Sequence, residues 1–245
     1  MANDNRNATQ GILGGVVALV TGGSRGIGLA IARRLGSMGA RVAICARDAK
    51  RLRQASEELA GEGVAPLAVV ADVTRAAEVA ALVERVETEL GPAEILVNNA
   101  GMGLFGAFHE RSEAEWDTVL DTNLKSVFLM SRAVAPGMIR RRRGRIVNIS
   151  SLAGKNSFAN GGLYCASKWG LMGLSSCMAE ELRAHGIRVN VVCPGSVATD
   201  FSPHSGRNPA TLLQADDVAH VVGSLVTEGP NSFISEIDLR PLQKP

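Results

Sequence analysis

Residues 16–28 read VVALVTGGSRGIG, an apolar run followed by a glycine-rich turn. The apolar residues at 16–20 predict a buried strand, and the amphipathic pattern at 27–38 predicts a helix directly after the turn. Such a turn, placed before a helix N-terminus, suits a dinucleotide pyrophosphate, because free N–H groups and the helix dipole attract the anion. The residues of this turn predicted to bind the dinucleotide are Gly22, Ser24, Arg25, Gly26, Ile27 and Gly28.

The three spaced glycines have distinct predicted roles in this turn. Gly22 permits a tight turn, Gly26 lets the backbone approach a pyrophosphate, and Gly28 allows the helix to lie close to the sheet. The spacing Gly-x-x-x-Gly-x-Gly differs from the commoner Gly-x-Gly-x-x-Gly, so the position directly after the first strand carries the prediction. A purely structural glycine turn is the alternative.

Apolar segments alternate with amphipathic segments along the rest of the chain. Nearly wholly apolar strands separated by helices predict a parallel sheet covered on both faces. We therefore predict one α/β domain of the Rossmann-type doubly wound class at residues 15–245, after a flexible lead at residues 1–14. Further strands are predicted at 41–45, 67–71, 95–98, 146–149, 189–192 and 233–239, and further helices at 49–60, 74–90, 112–141, 163–184 and 216–227.

Helix boundaries are marked by capping and breaking residues. Gly39 is placed to cap the first helix, and Thr74 is predicted to cap the helix that runs to about residue 90. The segment Ser112-Glu113-Ala114-Glu115 forms a capping box that opens a long helix. Pro136-Gly137 is predicted to break or bend the last turns of that helix.

The amino-acid composition and net charge limit the kinds of molecule that the chain is expected to bind. The chain has 245 residues, a net charge of +2 and 46% hydrophobic residues, so no strong field favours nucleic acid or an anionic membrane. The arginine run at 140–143 falls at a predicted helix end and is interpreted as a solvated complement to the helix dipole. The four cysteines lack Cys-x-x-Cys spacing, so we predict no metal site and a cytoplasmic location.

The end of the second strand indicates which dinucleotide binds. Arg47 follows this strand, and together with Arg25 it is suited to flank the 2′-phosphate of NADP(H), because guanidinium groups match phosphate oxygens. Asp48 complicates this prediction, since an acid near this position would bind the free ribose hydroxyl of NAD(H). Asp48 also lies where the next helix begins, so NADP(H) is favoured over NAD(H).

Tyr164 and Lys168 stand four residues apart in the run Tyr-Cys-Ala-Ser-Lys. In a helix both side chains project from one face. An ammonium beside a phenol favours the phenolate, which predicts a pKa for Tyr164 below its ordinary value of about 10. Such a phenol is a plausible acid or base for interconverting a hydroxyl and a carbonyl.

Further motifs occur in order along the chain. They are Asn98-Asn99-Ala100-Gly101, Asn123, Ile149-Ser150-Ser151 and Cys193-Pro194-Gly195. With the glycine turn and the Tyr164 to Lys168 run, they resemble the short-chain dehydrogenase/reductase family, and most closely its 3-oxoacyl-(acyl-carrier-protein) reductase-like members. The resemblance spans residues 16–226 and implies a seven-stranded, mostly parallel sheet with the order 3-2-1-4-5-6-7 and helices on both faces.

The resemblance also implies catalytic roles. Tyr164 would donate the proton in reduction and accept it in oxidation. Lys168 would lower the pKa of Tyr164 and bind the nicotinamide ribose. Ser151 would hold the substrate carbonyl oxygen, with Ser150 as the competing serine. Asn123 would support a water that relays protons to Lys168, although it could also be an ordinary helix asparagine.

Other matched positions are implied to contact the dinucleotide. Asp72 and Val73 would meet the adenine, although Asp72 could also be an acid at a helix start. Asn99, Ala100 and Gly101 would flank the adenosine ribose. The segment expected to contact the carboxamide comprises Pro194, Gly195, Val197 and Thr199.

These expectations point to an NADP-dependent oxidoreductase that transfers hydride reversibly between NADPH and a ketone or 3-oxoacyl-type carbonyl. The alternatives are an NAD-dependent sugar or steroid alcohol dehydrogenase of the same family and a non-catalytic dinucleotide sensor. Partners are expected to be a small-molecule or acyl-thioester carbonyl substrate and further copies of the chain, as a tetramer or dimer, with no nucleic acid and no membrane. A short segment between Gly195 and Asp216 suggests an open substrate pocket, and the C-terminus lacks the usual Asp-Gly-Gly, which puts intersubunit contacts there in doubt.

Overall fold

The sheet has the predicted strand order. In the computed structural model, which describes residues 11–201 and 208–243, seven strands form one sheet in the order β3-β2-β1-β4-β5-β6-β7. Every neighbouring pair is parallel, which confirms the doubly wound class. The strands are β1 (Val17–Thr21), β2 (Arg41–Ala46), β3 (Leu67–Val70), β4 (Ile95–Asn98), β5 (Gly144–Ile149), β6 (Ile187–Pro194) and β7 (Glu236–Leu239).

Helices cover both faces of this sheet. One apolar layer joins α1, α2 and α7 to the sheet, and the other joins α3, α5 and α6 to its opposite face. The helices are α1 (Gly26–Ser37), α2 (Ala49–Gly61), α3 (Ala76–Glu89), α4 (Glu113–Leu120), α5 (Ser126–Arg141), α6 (Gly162–Arg183) and α7 (Ala215–Val226). None of the helices within the described ranges is long and apolar enough to cross a bilayer.

β1 shows why an uninterrupted apolar run forms a central strand. All five of its residues are buried. Ala18 and Val20 belong to the layer of α1 and α7, whereas Val17 and Leu19 belong to the opposite layer. Because successive side chains of a strand point to opposite faces, a strand covered on both sides must be apolar throughout.

The long helix predicted from residue 112 begins as expected and ends later than its proline suggests. The Ser112 hydroxyl accepts a hydrogen bond from Glu115 N, and the Glu115 carboxylate accepts one from Ser112 N. A π-helical turn at Asp121–Lys125 joins α4 to α5. Of the two outcomes predicted for Pro136-Gly137, a break is wrong, because α5 continues to Arg141, and a bend stays a prediction. Proline removes one hydrogen bond, and burial of α5 side chains against the sheet offsets that loss.

The predicted cap at Thr74 is also wrong. Both the backbone N–H and the hydroxyl of Thr74 donate to Asp72 Oδ1, at 3.0 Å and 2.8 Å. The helix α3 starts one residue later, with Arg75 at the N-cap position and no side-chain cap. The Thr74 side chain therefore bonds to Asp72 and does not cap α3.

The described end of the predicted N-terminal lead packs on the domain. Leu13 is buried in the layer of α1 and α7, and its N–H donates to the Met38 carbonyl at 2.8 Å. The lead predicted at residues 1–14 therefore includes residues that belong to the fold. Residues 1–10 lie outside the described part of the chain.

Candidate active site

A cleft of about 1440 Å³ opens at the carboxyl ends of the parallel strands. This is the edge at which doubly wound folds bind ligands, because the loops after neighbouring strands diverge there. Of the residues predicted for the site, all but Gly28 and Asn123 line the cleft. The lining residues are Gly22, Ser24, Arg25, Gly26, Ile27, Arg47, Asp72, Val73, Asn99, Ala100, Gly101, Ser151, Tyr164, Lys168, Pro194, Gly195, Val197 and Thr199.

Backbone conformation or close packing favours glycine at three positions of this turn. Gly22 and Gly26 have φ of +65° and +53°, which L-residues rarely adopt. A Cβ on Gly28 would lie 2.3 Å from the Gly22 carbonyl oxygen and 2.4 Å from Asn99 Nδ2. The N-cap residue of α1, Arg25, makes no side-chain cap, so the first N–H groups of the helix are available for an anion.

The strand β4 braces this turn through its following loop. The amide of Asn99 donates to the carbonyls of Thr21 and Gly22, at 3.0 Å and 3.2 Å. The Thr21 hydroxyl accepts from the backbone N–H groups of Asn99 and Ala100, each at 3.0 Å. Asn99 and Ala100 thus hold the phosphate turn in place from the neighbouring strand as well as lining the cleft.

Basic residues line the end of the cleft next to β2. Asp48 Oδ1 accepts hydrogen bonds from the N–H groups of Lys50 and Arg51, each at 3.0 Å. Asp48 therefore caps the N-terminus of α2, as predicted from its position at the start of that helix. Arg51 Nε lies 3.5 Å from Asp48 Oδ2, and Arg51 lines the cleft with Arg47. Sequence reasoning missed Arg51, although its position four residues after Arg47 was the available signal.

The Asp72 carboxylate lies within reach of the charge of Arg47 and accepts hydrogen bonds from Thr74. Burial raises its pKa, but hydrogen bonds from Thr74 and the charges of Arg47 and Arg75 outweigh burial, so the pKa is lower than usual. The ionised carboxylate is therefore held in place at the predicted adenine end. Arg25 lies on the other rim, where its Nη1 is 3.3 Å from Asp200 Oδ2.

The helix α6 brings Tyr164 and Lys168 together at the opposite end of the cleft. Lys168 Nζ lies 5.8 Å from the centroid of the Tyr164 ring and donates to the Ile149 carbonyl at 2.9 Å. Ser151 Oγ accepts from Ala153 N at 3.1 Å and is hydrogen-bonded to Tyr164. The competing Ser150 also lines the cleft, but its side chain is buried.

Burial controls the titration of both residues. Desolvation raises the pKa of Tyr164 to about 12, against a smaller lowering from the hydrogen bond with Ser151. Desolvation also lowers the pKa of Lys168 to about 8. The predicted lowering of the Tyr164 pKa by Lys168 is therefore wrong for these residues by themselves, because the ammonium bonds to a carbonyl and the phenol is removed from water.

Asn123 occupies the π-helical turn between α4 and α5. Its Oδ1 accepts from Met102 N at 2.8 Å, and its Nδ2 donates to the Met102 carbonyl and to Ser167 Oγ, at 2.9 Å and 3.0 Å. The side chain thereby ties the loop after β4 to the residue preceding Lys168. Its predicted contact with a relaying water stays a prediction.

Three phenylalanines that sequence reasoning did not assign lie at the Tyr164 end of the cleft. Phe105, Phe158 and Phe201 lie in the loops after β4, β5 and β6 and line the cleft. The rings of Phe105 and Phe201 lie 5.5 Å and 5.7 Å from the Tyr164 ring, between centroids. No motif spacing connects the three residues, so only the folded chain shows that they meet.

One acidic cluster near the cleft is neutralised by a lysine. The ligand atoms of Cys193, Glu236 and Asp238 lie within 4.8 Å of one another, as in a metal site. Lys155 Nζ forms ion pairs with both carboxylates, 2.5 Å from Asp238 Oδ1, and these contacts raise the pKa of Lys155. The cluster is therefore satisfied as an ion-pair network that fastens the loop after β5 to β7.

Known sequences resemble this chain over most of its length. The family model for short chain dehydrogenases matches residues 16–210. The granaticin polyketide synthase putative ketoacyl reductase 1 of Streptomyces violaceoruber is 44% identical over 218 residues, which cover 88% of this chain and 80% of the relative. The 3-oxoacyl-(acyl-carrier-protein) reductase FabG of Pseudomonas aeruginosa is 40% identical over 227 residues, which cover 89% and 92%.

Solved structures also resemble this chain in sequence and fold. A metagenomic short-chain oxidoreductase in complex with NADP is 46% identical, with a TM-score of 0.84 over 95% of this chain and 99% of that chain. A variant of the actinorhodin polyketide ketoreductase with NADPH is 38% identical, with a TM-score of 0.85 over 92% and 95%.

Proposed function

The chain belongs to the short chain dehydrogenase family, and we propose that it is an NADPH-dependent reductase of 3-oxoacyl-type ketones with Tyr164 as its acid. The observation that carries the proposal is the contact of Tyr164, Ser151 and Lys168 at one end of a cleft whose other end holds a glycine turn and arginines. The reaction class follows from the family and its ketoacyl reductases, and the substrate class follows from the names of those relatives.

The residues of the cleft fit NADPH. Gly28 lets α1 approach the Gly22 carbonyl and the Asn99 amide closely, and this packing places the N-terminus of α1 beside the cleft, where its N–H groups suit the pyrophosphate. Arg47 and Arg51 provide two guanidinium groups at the end where the 2′-phosphate would lie, whereas Arg25 lines the other rim and pairs with Asp200. NADPH supplies the hydride when bound. Solved relatives in complex with NADP or NADPH support this choice over NAD(H).

The catalytic step follows from the protonation state of Tyr164. With a pKa near 12, the phenol is protonated at neutral pH and can donate to the oxygen of a ketone that receives hydride. The hydroxyls of Ser151 and Tyr164 would stabilise the negative charge that develops on that oxygen. Lys168 is a positioning residue, since Nζ is anchored on the Ile149 carbonyl beside the ring.

The alternatives have less support. A dinucleotide sensor would not require a buried lysine beside a buried tyrosine, and burying an ammonium costs free energy. An NAD-dependent alcohol dehydrogenase would use an acid to bind the free ribose hydroxyl, whereas Asp48 already caps α2. The openness of the substrate side stays a prediction, because residues 202–207 lie outside the described part of the chain.

The proposed acid can be tested with the variant Tyr164→Phe. We expect NADPH consumption with acetoacetyl-coenzyme A to fall by about 100- to 10,000-fold, because proton transfer is lost while the ring is retained. NADPH binding, followed by its fluorescence, should change little. Phe233→Leu, outside the cleft lining, is the control for general damage. Turnover within a few fold of wild type would eliminate Tyr164 as the acid.

The cofactor preference can be tested with Arg47→Ala. Charge-assisted hydrogen bonds contribute about 1.5–3 kcal/mol, so the Kd for NADPH should rise at least about tenfold. The Kd for NADH, which lacks the 2′-phosphate, should stay within about twofold. Arg53→Ala, an exposed arginine of α2 outside the cleft lining, serves as the control. Equal losses for both dinucleotides would contradict the assignment of Arg47.

We also propose a homo-oligomer in the cytoplasm. Trp116, Phe128 and Trp169 are 45%, 46% and 53% exposed on α4, α5 and α6, and large exposed apolar side chains favour contact with another protein surface. The four free cysteines are consistent with a reducing compartment. Light scattering of the purified chain would test the oligomer, and a monomer at micromolar concentration would contradict it.

A further inference from the structure

The aromatic residues of this chain are concentrated at one end of the cleft. The chain has six phenylalanines and one tyrosine, Tyr164. Phe105 and Phe201 contact the Tyr164 ring, and Phe158 contacts Phe105. We call these three phenylalanines the aromatic wall. They lie in three different loops, so local sequence pattern does not explain why they meet.

The rings of the aromatic wall and Tyr164 form one continuous series of contacts, in the order Phe158, Phe105, Tyr164 and Phe201. Phe105 packs edge-on against Tyr164, with centroids 5.5 Å apart and planes at 67°. Phe158 follows at 6.1 Å from Phe105, and Phe201 contacts the other side of Tyr164 at 5.7 Å. These separations lie within the range of favourable aromatic pairs.

Two glycines create the space that these rings occupy. A Cβ on Gly103 would lie 2.7 Å from the ring of Phe105 and 3.0 Å from that of Phe201. A Cβ on Gly161 would lie 2.5 Å from the ring of Phe158. Glycine at these two positions therefore leaves space for the three rings at this end of the cleft.

The aromatic wall remains open to the cleft. Phe158 is 50% exposed and Phe201 is 39% exposed, whereas Tyr164 is 8% exposed. Rings that served only as a core would be covered, because exposed apolar area costs roughly 25 cal/mol per Å². The neighbouring polar lining residues Asn156 and Asn160 carry no charge. The surface beside Tyr164 is thus largely aromatic, and the charged groups Lys168 and Asp200 also line the cleft there.

We propose that the aromatic wall is a subsite for a planar ring attached to the ketone, so that the favoured substrates are 3-oxoacyl thioesters bearing an aryl or similar flat ring. This inference rests on the proposed reductase function. Hydride adds to the carbonyl carbon, the Tyr164 proton goes to the oxygen, and NADPH is oxidised to NADP⁺ as the ring stays unchanged. Flat rings make edge-to-face and stacked contacts with phenylalanines that flexible alkyl chains cannot make.

The test compares two thioesters that differ in the group on the ketone. The substrates are the N-acetylcysteamine thioesters of 3-oxo-3-phenylpropanoate and 3-oxohexanoate, and the measured quantity is the ratio of their kcat/KM values. Because the aryl ketone has its own intrinsic reactivity, the informative value is the change of this ratio between wild type and variants. Phe105→Leu, Phe158→Leu and Phe201→Leu should each lower the aryl-to-alkyl ratio by about three- to tenfold, as expected for a lost aromatic pair.

The control is Phe233→Leu, which removes a partly exposed phenylalanine outside the cleft lining and should leave the ratio unchanged. Phe158 and Phe201 are partly exposed, so their variants test the subsite even if Phe105→Leu does not fold. Ratios equal to wild type in all variants that fold would overturn the inference while leaving the reductase function intact.

Calorimetric Kd values of the two thioesters with the protein loaded with NADP⁺, which carries no hydride to transfer, give the binding ratio without turnover. If neither thioester is reduced, the proposed function fails, and the binding ratio still decides the subsite. A threefold or larger weakening of the aryl ligand relative to the alkyl ligand supports the aromatic wall, and equal weakening overturns it.

Discussion

Lys168 and Tyr164 illustrate a competition between charge and burial at the level of single residues. A neighbouring ammonium lowers the pKa of a phenol, but removal from water raises it. In this chain the ammonium donates to the Ile149 carbonyl and both side chains are buried, so desolvation dominates. The resulting phenol is a protonated donor at neutral pH, which suits the reduction of a ketone.

The same pKa values predict a pH dependence of stability. Lys168 titrates near pH 8 when folded and at about 10.4 when unfolded, so the unfolded chain binds more protons between these values. The contribution of Lys168 to the free energy of unfolding should therefore increase as pH rises from about 8 to about 10.4. Tyr164, with its pKa raised to about 12, should contribute in the opposite direction above about pH 10.

Lys168→Met isolates the first contribution, because it removes the titrating amine and keeps the length of the side chain. Urea unfolding at pH 7.5 and pH 9.5 should show wild type gaining stability relative to the variant as pH rises. Lys125→Met, at an exposed lysine, is the matched control and should show no such gain. A constant difference between wild type and Lys168→Met at the two pH values would contradict the lowered pKa.

At the level of elements, the start of α1 determines how closely the helix approaches the sheet. The glycine at position 28 faces the Gly22 carbonyl and the Asn99 amide, which is itself bonded to the phosphate turn. The element that binds phosphate is therefore a strand, a turn and a helix held by the loop after β4. Changes at this contact should affect stability and dinucleotide binding together.

Gly28→Ala should lower the free energy of unfolding by about 2 kcal/mol, because the added methyl collides with backbone atoms that cannot rotate away. The Kd for NADPH should rise at least about tenfold as the turn is displaced. Gly61→Ala, in α2, is the matched control: its Cβ would meet nothing within 4 Å, and alanine should stabilise the helix by about 0.5 kcal/mol. Similar effects of both variants would show that helix propensity, and not this contact, governs the result.

At the level of the whole molecule, a buried ion pair joins segments that are distant in the sequence. Arg145, at β5, lies 3.3 Å from Glu228 after α7, and their side chains are 14% and 3% exposed. Glu228 also accepts from Asn190 of β6 and from the N–H of Ile234 before β7. This carboxylate fastens the end of the sheet to α7, opposite to the cleft.

Glu228→Ala should lower the free energy of unfolding by about 3 kcal/mol, because it leaves a partly buried guanidinium without its partner. The exposed pair of Arg85 and Glu89 provides the contrast, with side chains 51% and 45% exposed. Glu89→Ala should cost less than about 1 kcal/mol. Denaturant unfolding of both variants measures the two losses in the free energy of unfolding. Equal losses would mean that burial does not determine how much an ion pair contributes to stability.

Much of this architecture follows from local pattern. The apolar runs and the glycine turn predict the strands, the alternation and the phosphate site, because a strand buried on both faces and a turn without Cβ atoms each require particular residue types in sequence. Predictions from local pattern were wrong where another contact competes with the local preference of a residue. Thr74 bonds to Asp72 instead of capping α3, and the packing of α5 outweighs its proline.

Tertiary structure alone decided the properties that depend on distant residues. The pKa of Tyr164 depends on burial by several loops, and the rings of Phe105, Phe158 and Phe201 meet only because three strands end at one edge of the sheet. The residue order determines the fold and the position of the reacting groups, since both rest on short-range periodicity. The environment of the reacting phenol and the shape of the substrate surface rest on packing between segments far apart in the chain, which no local pattern encodes.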